Sequence, residues 1–388
     1  MPDDEEFRES LRAFLKEHAP GRAPKGAPER LAFAKAWAAT KYDHGFAGPA
    51  WPRDAGGMGL PFEQQVIYHE EMARYRLPAM PGTGWEMVGP TIIKYGTPEQ
   101  KEKYLRATLR ADIVWAQGFS EPEAGSDLPG LRTTARRDGD HYLVNGQKVW
   151  NTNAEKADML FVLVRTGTQE ARQKGISYLL IDAHAPGVTV RPIRDITGGE
   201  HFCEIFFDEV RVPVSQRVGE EDEGWRIART TLGHERSAGA LNQAAFYRRI
   251  VDELIALARE RGAVADTGIR RRLADFDVRV RVMNAHAART IASIVATGEP
   301  GPTSSVSRLY NSVFEQELHE FAVELLGPFG LLGRGDPDTV QRGRWTGGWL
   351  ATRASTIGAG TAEIQRNTIA EQVLGLPRDP AMPPRSRP

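Results

Sequence analysis

The hydrophobic period of this chain changes twice, and that constrains the fold more than any other feature of the sequence. Up to about residue 115, apolar residues recur every three or four positions, as they do on amphipathic helices. Between about 116 and 220, short apolar runs separated by Gly, Asp and Pro indicate strands of an antiparallel sheet. The helical period returns at about 221, and the stripe from 269 to 294 is long enough for a helix of a bundle or of a subunit interface.

The sequence therefore predicts an α+β protein built from three successive domains. They are an N-terminal all-α domain over 1–115, a central antiparallel β domain over 116–220, a C-terminal helical bundle over 221–376 and a disordered tail over 377–388. Thr97 and Pro98 form a strong helix start, because a capping threonine precedes a proline in the first turn. Helices are predicted over 7–15, 31–42, 61–75, 85–95, 98–109, 246–257, 269–294, 305–326 and 361–373, and strands over 132–136, 141–145, 159–164, 176–181 and 203–207.

Composition and charge exclude several classes of function. The 388 residues carry a formal net charge of −1, so no general attraction to nucleic acid or to an anionic membrane is expected. No apolar run approaches membrane-spanning length. The single cysteine, Cys203, excludes an intrachain disulfide and is interpreted as a small buried hydrophobic residue. The acidic start, MPDDEEF, lacks the basic residues of a targeting peptide, so we expect a cytoplasmic protein.

Two patterns suggest ligand sites and are interpreted otherwise. The glycine-rich run at 56–59 is not followed by Lys-Ser/Thr, so a connecting loop is favoured over a phosphate loop. His69 stands beside Glu70 and Glu71, but adjacent helix positions diverge by about 100°. We interpret these three residues as a solvated helix face and predict no metal site.

Two stretches combine turns, hydroxyl groups and an aromatic plane. Residues 120–127, SEPEAGSD, place Ser120 and Ser126 on turns whose freed main-chain amides suit an anionic or carbonyl-rich ligand. Residues 149–153, VWNTN, place Trp150 and Thr152 on the same side of a strand. A stacking plane and a hydroxyl on one side are what a flavin ring requires.

At these residues the sequence resembles the acyl-CoA dehydrogenase family. The resemblance continues through CEIFFDEVRVP at 203–213, GWRIARTTLGHER at 224–236 and IGAGTAEIQRNTIAEQVLG at 357–375. These motifs occur in the family's order over most of the chain. The resemblance implies the family's helix–sheet–helix architecture, an FAD cofactor and an acyl-CoA thioester substrate that is dehydrogenated between its α and β carbons.

The position of the catalytic base distinguishes branches of that family. Many members carry a glutamate just before the Gly-Thr of the last motif, but here that position is Ala359, which cannot accept a proton. Isovaleryl- and long-chain types instead place the base before an arginine on the helix that follows the sheet, and Glu235 and Arg236 match that pattern. The resemblance implies that Glu235 is the base, Arg236 orients its helix and the Ala359 amide stabilises the enolate. The alternatives are a surface glutamate paired with Arg236 or Arg229, or a member that has lost activity.

The resemblance also implies a set of cofactor contacts. The implied residues are Phe119 and Ser120 at the ring edge, Ser126 near the pyrophosphate, Trp150 and Thr152 at the ring, and Glu324, Gly327, Thr361 and Glu363 in the last domain. One family feature is missing, an Arg-x-x-Phe-Gly motif that reaches the FAD diphosphate of a neighbouring subunit. Arg270, Arg271 or Arg272 could replace it, and the sequence does not select among them.

The combination resembles a bacterial branch that acts on bulky, branched or steroid side-chain thioesters, some members of which are α2β2 heterotetramers. Ala238, Gly239 and Ala240 are small, which suits a wide acyl pocket. The implied partners are an electron-transfer flavoprotein and other copies of the chain, in a homotetramer or dimer. The alternatives are a flavin oxidase or monooxygenase on the same fold, and a non-catalytic partner subunit.

Overall fold

The computed structural model describes residues 3–24, 26–297 and 301–377, apart from the side chains at 27, 235–245, 291 and 294–297. The predicted tail over 377–388 lies outside the described residues except for its first position. The chain divides into two units, Met1–Phe246 and Tyr247–Pro388, which are described here one after the other.

Five α-helices precede the sheet in the described part of the first unit. They are α1 (Asp4–His18), α2 (Ala27–Asp43), α3 (Phe62–Ala73), α4 (Gly89–Tyr95) and α5 (Pro98–Leu109). Asp3 caps α1 by accepting a hydrogen bond from the Glu6 amide, and Thr97 and Gln100 form a capping box on α5. The helix predicted over 85–95 begins as a π-helical turn, Gly84–Val88, before α4 continues it.

Helices α1 and α3 are joined by a buried ionic contact that the sequence reading missed. Glu71 is buried, and its carboxylate accepts hydrogen bonds from Arg8 at 2.7 Å and from Arg12 at 2.9 Å. Glu70, one position earlier, is exposed. The interpretation of 69–71 as a solvated face was therefore wrong for Glu71. Arg8 and Arg12 lie one turn apart on α1 and together meet the carboxylate, which offsets the cost of its burial.

The sheet that follows has eight strands. They are β1 (Trp115–Gly118), β2 (Thr134–Asp138), β3 (His141–Thr152), β4 (Met159–Arg165), β5 (Ile176–Asp182), β6 (Val188–Ile193), β7 (Phe202–Pro213) and β8 (Arg217–Val218). Their order is β6-β7-β3-β2-β4-β5-β8, with β1 paired to β4. Most pairs are antiparallel, as predicted, and β2 and β3 form a hairpin that turns at Gly139 and Asp140. The pairs β1–β4 and β2–β4 are parallel, which was not predicted.

Two apolar clusters cover the two faces of this sheet. On one, side chains of α4 and α5 pack with Phe119, Phe161 and Tyr178. On the other, Tyr142, Val144 and residues of β7 pack together. Cys203 belongs to the second cluster and is buried, as expected, and its thiol also donates a hydrogen bond to Glu155.

Helix α6 (Gly224–Glu260) begins in the first unit and continues into the second, which otherwise contains α7 (Thr267–Thr297), α8 (Ser304–Leu326), α9 (Arg344–Ala351) and α10 (Ala362–Thr368). The predicted stripe of α7 is buried at Leu273, Phe276, Val280 and Met283, and Phe276 contacts Phe314 and Phe321 of α8. Phe246, at the start of the helix predicted over 246–257, is exposed. The predicted order of helices, sheet and helices is confirmed, while the exact domain boundaries stay predictions.

Candidate active site

The two predicted flavin motifs meet at the C-terminal end of β3, which is called here the edge of β3. The Val149 amide donates a hydrogen bond to the Ser120 carbonyl at 2.9 Å, so SEPEAGSD and VWNTN lie side by side. The aromatic side chain of Phe119 is buried between Phe161 and Tyr178, with ring centroids 5.7 and 5.9 Å away. Only the main chain of Phe119 is therefore available beside Ser120.

A β-bulge turns Trp150 towards the surface. Lys148 pairs with Ile205 and Asn151 pairs with Cys203, so three steps along β3 oppose two along β7. Trp150 occupies the extra position with φ of 62°. Because one inserted residue reverses the side-chain alternation, Asn151 is buried while Trp150 and Thr152 are exposed.

The exposed side of this edge carries free polar groups next to an aromatic plane. Trp150 is 60% exposed, and its ring meets Phe202 edge-on at 6.0 Å. Among the residues that the structure describes, the Ser120 hydroxyl, the Trp150 indole N–H and the Thr152 hydroxyl have no hydrogen-bond partner. Ser126 is exposed six residues further along the loop. An uncovered aromatic face with unsatisfied hydroxyls beside it fits a planar heteroaromatic group.

Beneath this edge lies a buried ion pair that sequence reasoning missed. Lys148 has no exposed surface, and its ammonium donates to the Phe119 carbonyl at 3.1 Å and to Glu121 at 2.7 Å. Burial lowers the pKa of Lys148 to about 8. The sequence could have indicated that Lys148 is buried, because simple alternation places it on the same face of β3 as Tyr142 and Val144.

In the second unit, side chains hold the main chain of the turn at 358–361. Arg308 donates to the Gly358 carbonyl at 2.8 Å, and Gln365 donates to the carbonyls of Ala359 at 3.3 Å and Gly360 at 3.2 Å. Ala359 has φ of 53°, in the left-handed region. Within the described part of the chain its N–H has no acceptor, so this fixed turn presents a free donor.

The remaining predicted residues of the second unit lie at helix ends. Thr361 caps α10 by accepting from the Ile364 amide at 3.2 Å, and Glu363 is exposed in the first turn of that helix. Glu324 forms an ion pair with Arg272, whose guanidinium also lies 4.2 Å from the centroid of Phe321. Gly327 ends α8 with φ of 55°. Of the three candidate arginines, Arg272 is thus engaged by a carboxylate, and Arg270 donates to the carbonyls of Val264 and Ala265.

Glu235 and Arg236 lie on α6, and their side chains are outside the described part of the structure. The turn that precedes them is described. Thr231 lies 2.7 Å from Thr91 between hydroxyl oxygens, and both residues are buried. Thr230 lies 2.9 Å from the Tyr95 hydroxyl. The helix that carries the predicted base is therefore anchored to α4 one turn earlier.

Comparison with known protein families accounts for nearly the whole chain. Residues 1–112 match the model for the acyl-CoA dehydrogenase N-terminal domain, 116–210 match its middle domain and 222–374 match its C-terminal domain. The chain belongs to the acyl-CoA dehydrogenase family. The resemblance and the fold predicted from the sequence are thereby confirmed, and this acyl-CoA dehydrogenase is an oxidoreductase of a family that serves lipid β-oxidation.

Curated relatives and solved structures agree with that assignment. The enzyme is 39% identical to acyl-CoA dehydrogenase IpdE1 of Mycobacterium tuberculosis, over 98% of this chain and 99% of the relative. Among solved structures it resembles the Tcur3481-Tcur3483 steroid ACAD with a TM-score of 0.83 and 30% identity, over 98% of this chain and 99% of that one. It resembles the ChsE4-ChsE5 complex from Mycobacterium tuberculosis with a TM-score of 0.82 and 30% identity, over 98% and 99%.

Two properties of this acyl-CoA dehydrogenase bear on possible ligands. Within the described residues, no three His, Cys, Asp or Glu side chains are grouped so that they could hold a metal ion. None of the helices in that same part of the enzyme is both long and apolar enough to cross a membrane.

Proposed function

We propose that this acyl-CoA dehydrogenase uses FAD to form the trans-2-enoyl thioester of a bulky, branched or steroid side-chain acyl-CoA, with Glu235 as the base. The observation that carries the proposal is the turn at 358–361. It holds Ala359 where many members of the family carry the basic glutamate, and it presents a main-chain N–H with no acceptor in the described part of the chain. This turn supplies a hydrogen-bond donor and no base, so the base comes from elsewhere.

The edge of β3 supports the choice of cofactor. Trp150 would stack on the ring system, and the hydroxyls of Ser120 and Thr152 would bond to its polar rim. Ser126 would meet the pyrophosphate. Thr361, Glu363, Glu324 and Gly327 are proposed contacts from the second unit. When bound, FAD would accept the hydride that leaves the β carbon, and an electron-transfer flavoprotein would take the electrons onward.

The residues of the chain would perform the proton chemistry. An α proton of a thioester is too weakly acidic for a carboxylate alone, so the developing enolate requires hydrogen-bond donors at its oxygen. The Ala359 amide is proposed as one donor because the carbonyl of the same peptide group, that of Gly358, is held by Arg308 at 2.8 Å, which fixes the peptide plane. Glu235 would take the α proton, and Arg236 would orient that part of α6.

The substrate class rests on two observations. Shortly after Glu235 in the sequence come Ala238, Gly239 and Ala240, and residues this small would suit a wide acyl group. One structure that the enzyme resembles at 30% identity is named a steroid ACAD. We therefore propose a polycyclic or branched acyl group in place of a straight chain.

The test is an anaerobic titration of the purified flavoprotein with straight-chain, branched and steroid side-chain acyl-CoAs, monitored by the flavin's visible absorption. We expect bleaching by the bulky thioesters, and Glu235→Gln should slow it by about 10³-fold, the usual contribution of a general base. Glu260→Gln, at the far end of the same helix, is the matched control and should bleach at the normal rate. Normal bleaching of Glu235→Gln would exclude Glu235 as the base, and bleaching by short straight chains alone would exclude the proposed substrate class.

A further inference from the structure

Lys148 is the unusual residue of the candidate site, because a lysine rarely lies on the inward face of a central strand. Its side chain is fully buried on β3, and its ammonium donates to one carbonyl and one carboxylate. The carbonyl belongs to Phe119, the residue just before Ser120. The lysine thus reaches from the strand that carries Trp150 to the main chain that carries Ser120.

Glu121 connects the Lys148 ammonium to the far end of the loop that runs from residue 121 to residue 133. The oxygen that accepts from Lys148 also accepts from the Thr133 amide at 2.9 Å, and its second oxygen accepts from the Arg132 amide at 2.6 Å. One carboxylate therefore joins residue 121, where the loop begins, to residues 132 and 133, where it ends. Ser126 lies within the segment that this contact closes.

Arg165 donates hydrogen bonds to the main chain in the second half of that loop. It is buried, and its guanidinium donates to the carbonyls of Pro129 at 2.6 Å and Leu131 at 3.3 Å. The pKa of Lys148 is lowered to about 8, because burial and the positive charge of Arg165 together outweigh the opposing effect of Glu121. The pKa of Glu121 is held below its usual range by Lys148, although burial alone would raise it. The 2.7 Å contact between the two groups is that of an ion pair.

We propose that Lys148 and Glu121 are positioning residues for the flavin site. The ammonium draws the Phe119 carbonyl inward, which leaves Ser120 on the outer side of the chain beside Trp150. The carboxylate closes the loop so that Ser126 is held at a fixed distance from Ser120. This inference rests on the proposed use of FAD. The pair would hold the FAD-binding residues in place and would take no part in the reaction itself.

If Lys148 and Glu121 formed a purely structural ion pair, their substitution would have a different effect. Such a pair would change the stability of β3 without changing the affinity for a ligand at its edge. Tyr142 offers the comparison, because it lies on the inward face of the same strand, is equally buried and bonds to Arg217 and Glu221. Tyr142→Phe removes a buried polar contact from β3 without touching the Ser120 loop.

The experiment measures FAD binding to deflavinated protein by flavin fluorescence, together with the melting temperature and circular dichroism. We expect Lys148→Met to raise the Kd for FAD by about tenfold or more, the size of effect that loss of a supporting contact has at metal sites. Glu121→Gln should raise it by a smaller factor, since the amide keeps one oxygen acceptor. Tyr142→Phe should lower the melting temperature and leave the Kd within about twofold, a change below the usual effect of a lost supporting contact.

Because Lys148→Met leaves a buried carboxylate without its partner, that variant alone could fail to fold. The double variant Lys148→Met/Glu121→Gln removes both charges and should fold while still binding FAD weakly. Normal affinity in the folded double variant would overturn the inference and leave the proposed function standing. Wild-type protein that binds no FAD would overturn both.

Discussion

Glu71 shows how one buried carboxylate can hold two helices together. It meets Arg8 and Arg12 of α1 and lies 3.4 Å from Arg74 of its own segment. Burial alone would raise the pKa of Glu71, but hydrogen bonds from Arg12 and Arg8 hold it below the ordinary value of 4.5. The carboxylate is therefore more acidic in the folded protein than in the unfolded chain.

We predict that Glu71→Gln lowers the free energy of unfolding by about 2 kcal/mol at pH 7, less than for a fully buried pair because Arg12 is 45% exposed. Since the folded pKa is depressed, the stabilisation is complete above pH 4.5 and is lost as the pH falls through the folded pKa. Urea unfolding of both proteins between pH 3 and pH 8 should show the difference shrinking in acid. Glu70→Gln, at an exposed neighbour, should have little effect, and an equally large loss there would contradict the assignment to Glu71.

Trp150 marks the limit of what side-chain alternation can predict. Alternation from Tyr142 through Lys148 places even-numbered positions inward and would bury Trp150. The inserted residue reverses the inward–outward alternation after Lys148, and the residue types of VWNTN do not predict a bulge. The sequence predicts which residue types lie at the ring side of the candidate site, while the pairing of β3 with β7 determines which of them face outward.

At the scale of elements, the start of α6 is tied to α4 by buried hydroxyl groups. Thr91 also lies 2.8 Å from the Met87 carbonyl, and Thr231 lies 3.1 Å from the Ile227 carbonyl. Thr91 and Thr231 each have one hydroxyl proton, and their hydroxyls contact each other and one carbonyl each. The two side chains therefore form one connected hydrogen-bond network. The next turn of α6 carries Glu235.

We predict that Thr231→Val lowers kcat by about tenfold, because small displacements of a base cost more rate than binding. KM should change little, and the pH profile of kcat should shift, whereas Thr231→Ser should retain the wild-type values. Thr108→Val is the matched control, since it removes a buried hydroxyl that contacts the Tyr104 carbonyl at 2.7 Å and the Trp115 indole at 2.9 Å, on α5 and β1. A Thr231→Val enzyme with normal kcat but a lowered melting temperature would reduce this contact to a structural role.

Helices were predicted more accurately than strand pairings, for a physical reason. The start and end of α5 were readable because Thr97, Pro98 and the following apolar spacing act within a few residues. The parallel pair of β1 with β4 joins residues more than forty positions apart, Trp115 with Met159. Such a pairing depends on which strand fills the neighbouring place in the sheet, and no local pattern encodes it. The π-helical turns at Gly84–Val88 and Ile369–Val373 were likewise invisible to a period of 3.6.

At the scale of the whole molecule, the question is whether one chain suffices for the cofactor. The Arg-x-x-Phe-Gly motif is absent, and Arg272, which could replace it, is engaged by Glu324. Large apolar side chains are exposed in the second unit, with Leu331 at 83%. The others in the described part of that unit are Val278, Val282, Phe329, Ile357, Ile364, Val373, Leu374 and Leu376. Exposed apolar groups of this number favour burial in a subunit interface.

We therefore predict that FAD occupancy depends on assembly. On size exclusion with light scattering, the chain expressed alone should carry flavin in its oligomeric fractions, and dilution to monomer should release it. The physical reason is that Arg271 is exposed and has no partner in the described part of the chain, so a neighbouring copy would have one arginine to donate to the diphosphate. Such charge-assisted hydrogen bonds are about twice as strong as neutral ones and are lost in a monomer. A yellow monomer would contradict the prediction. Protein that stays colourless at every concentration, and gains flavin only with a second type of subunit, would select the α2β2 assembly over the homotetramer or dimer.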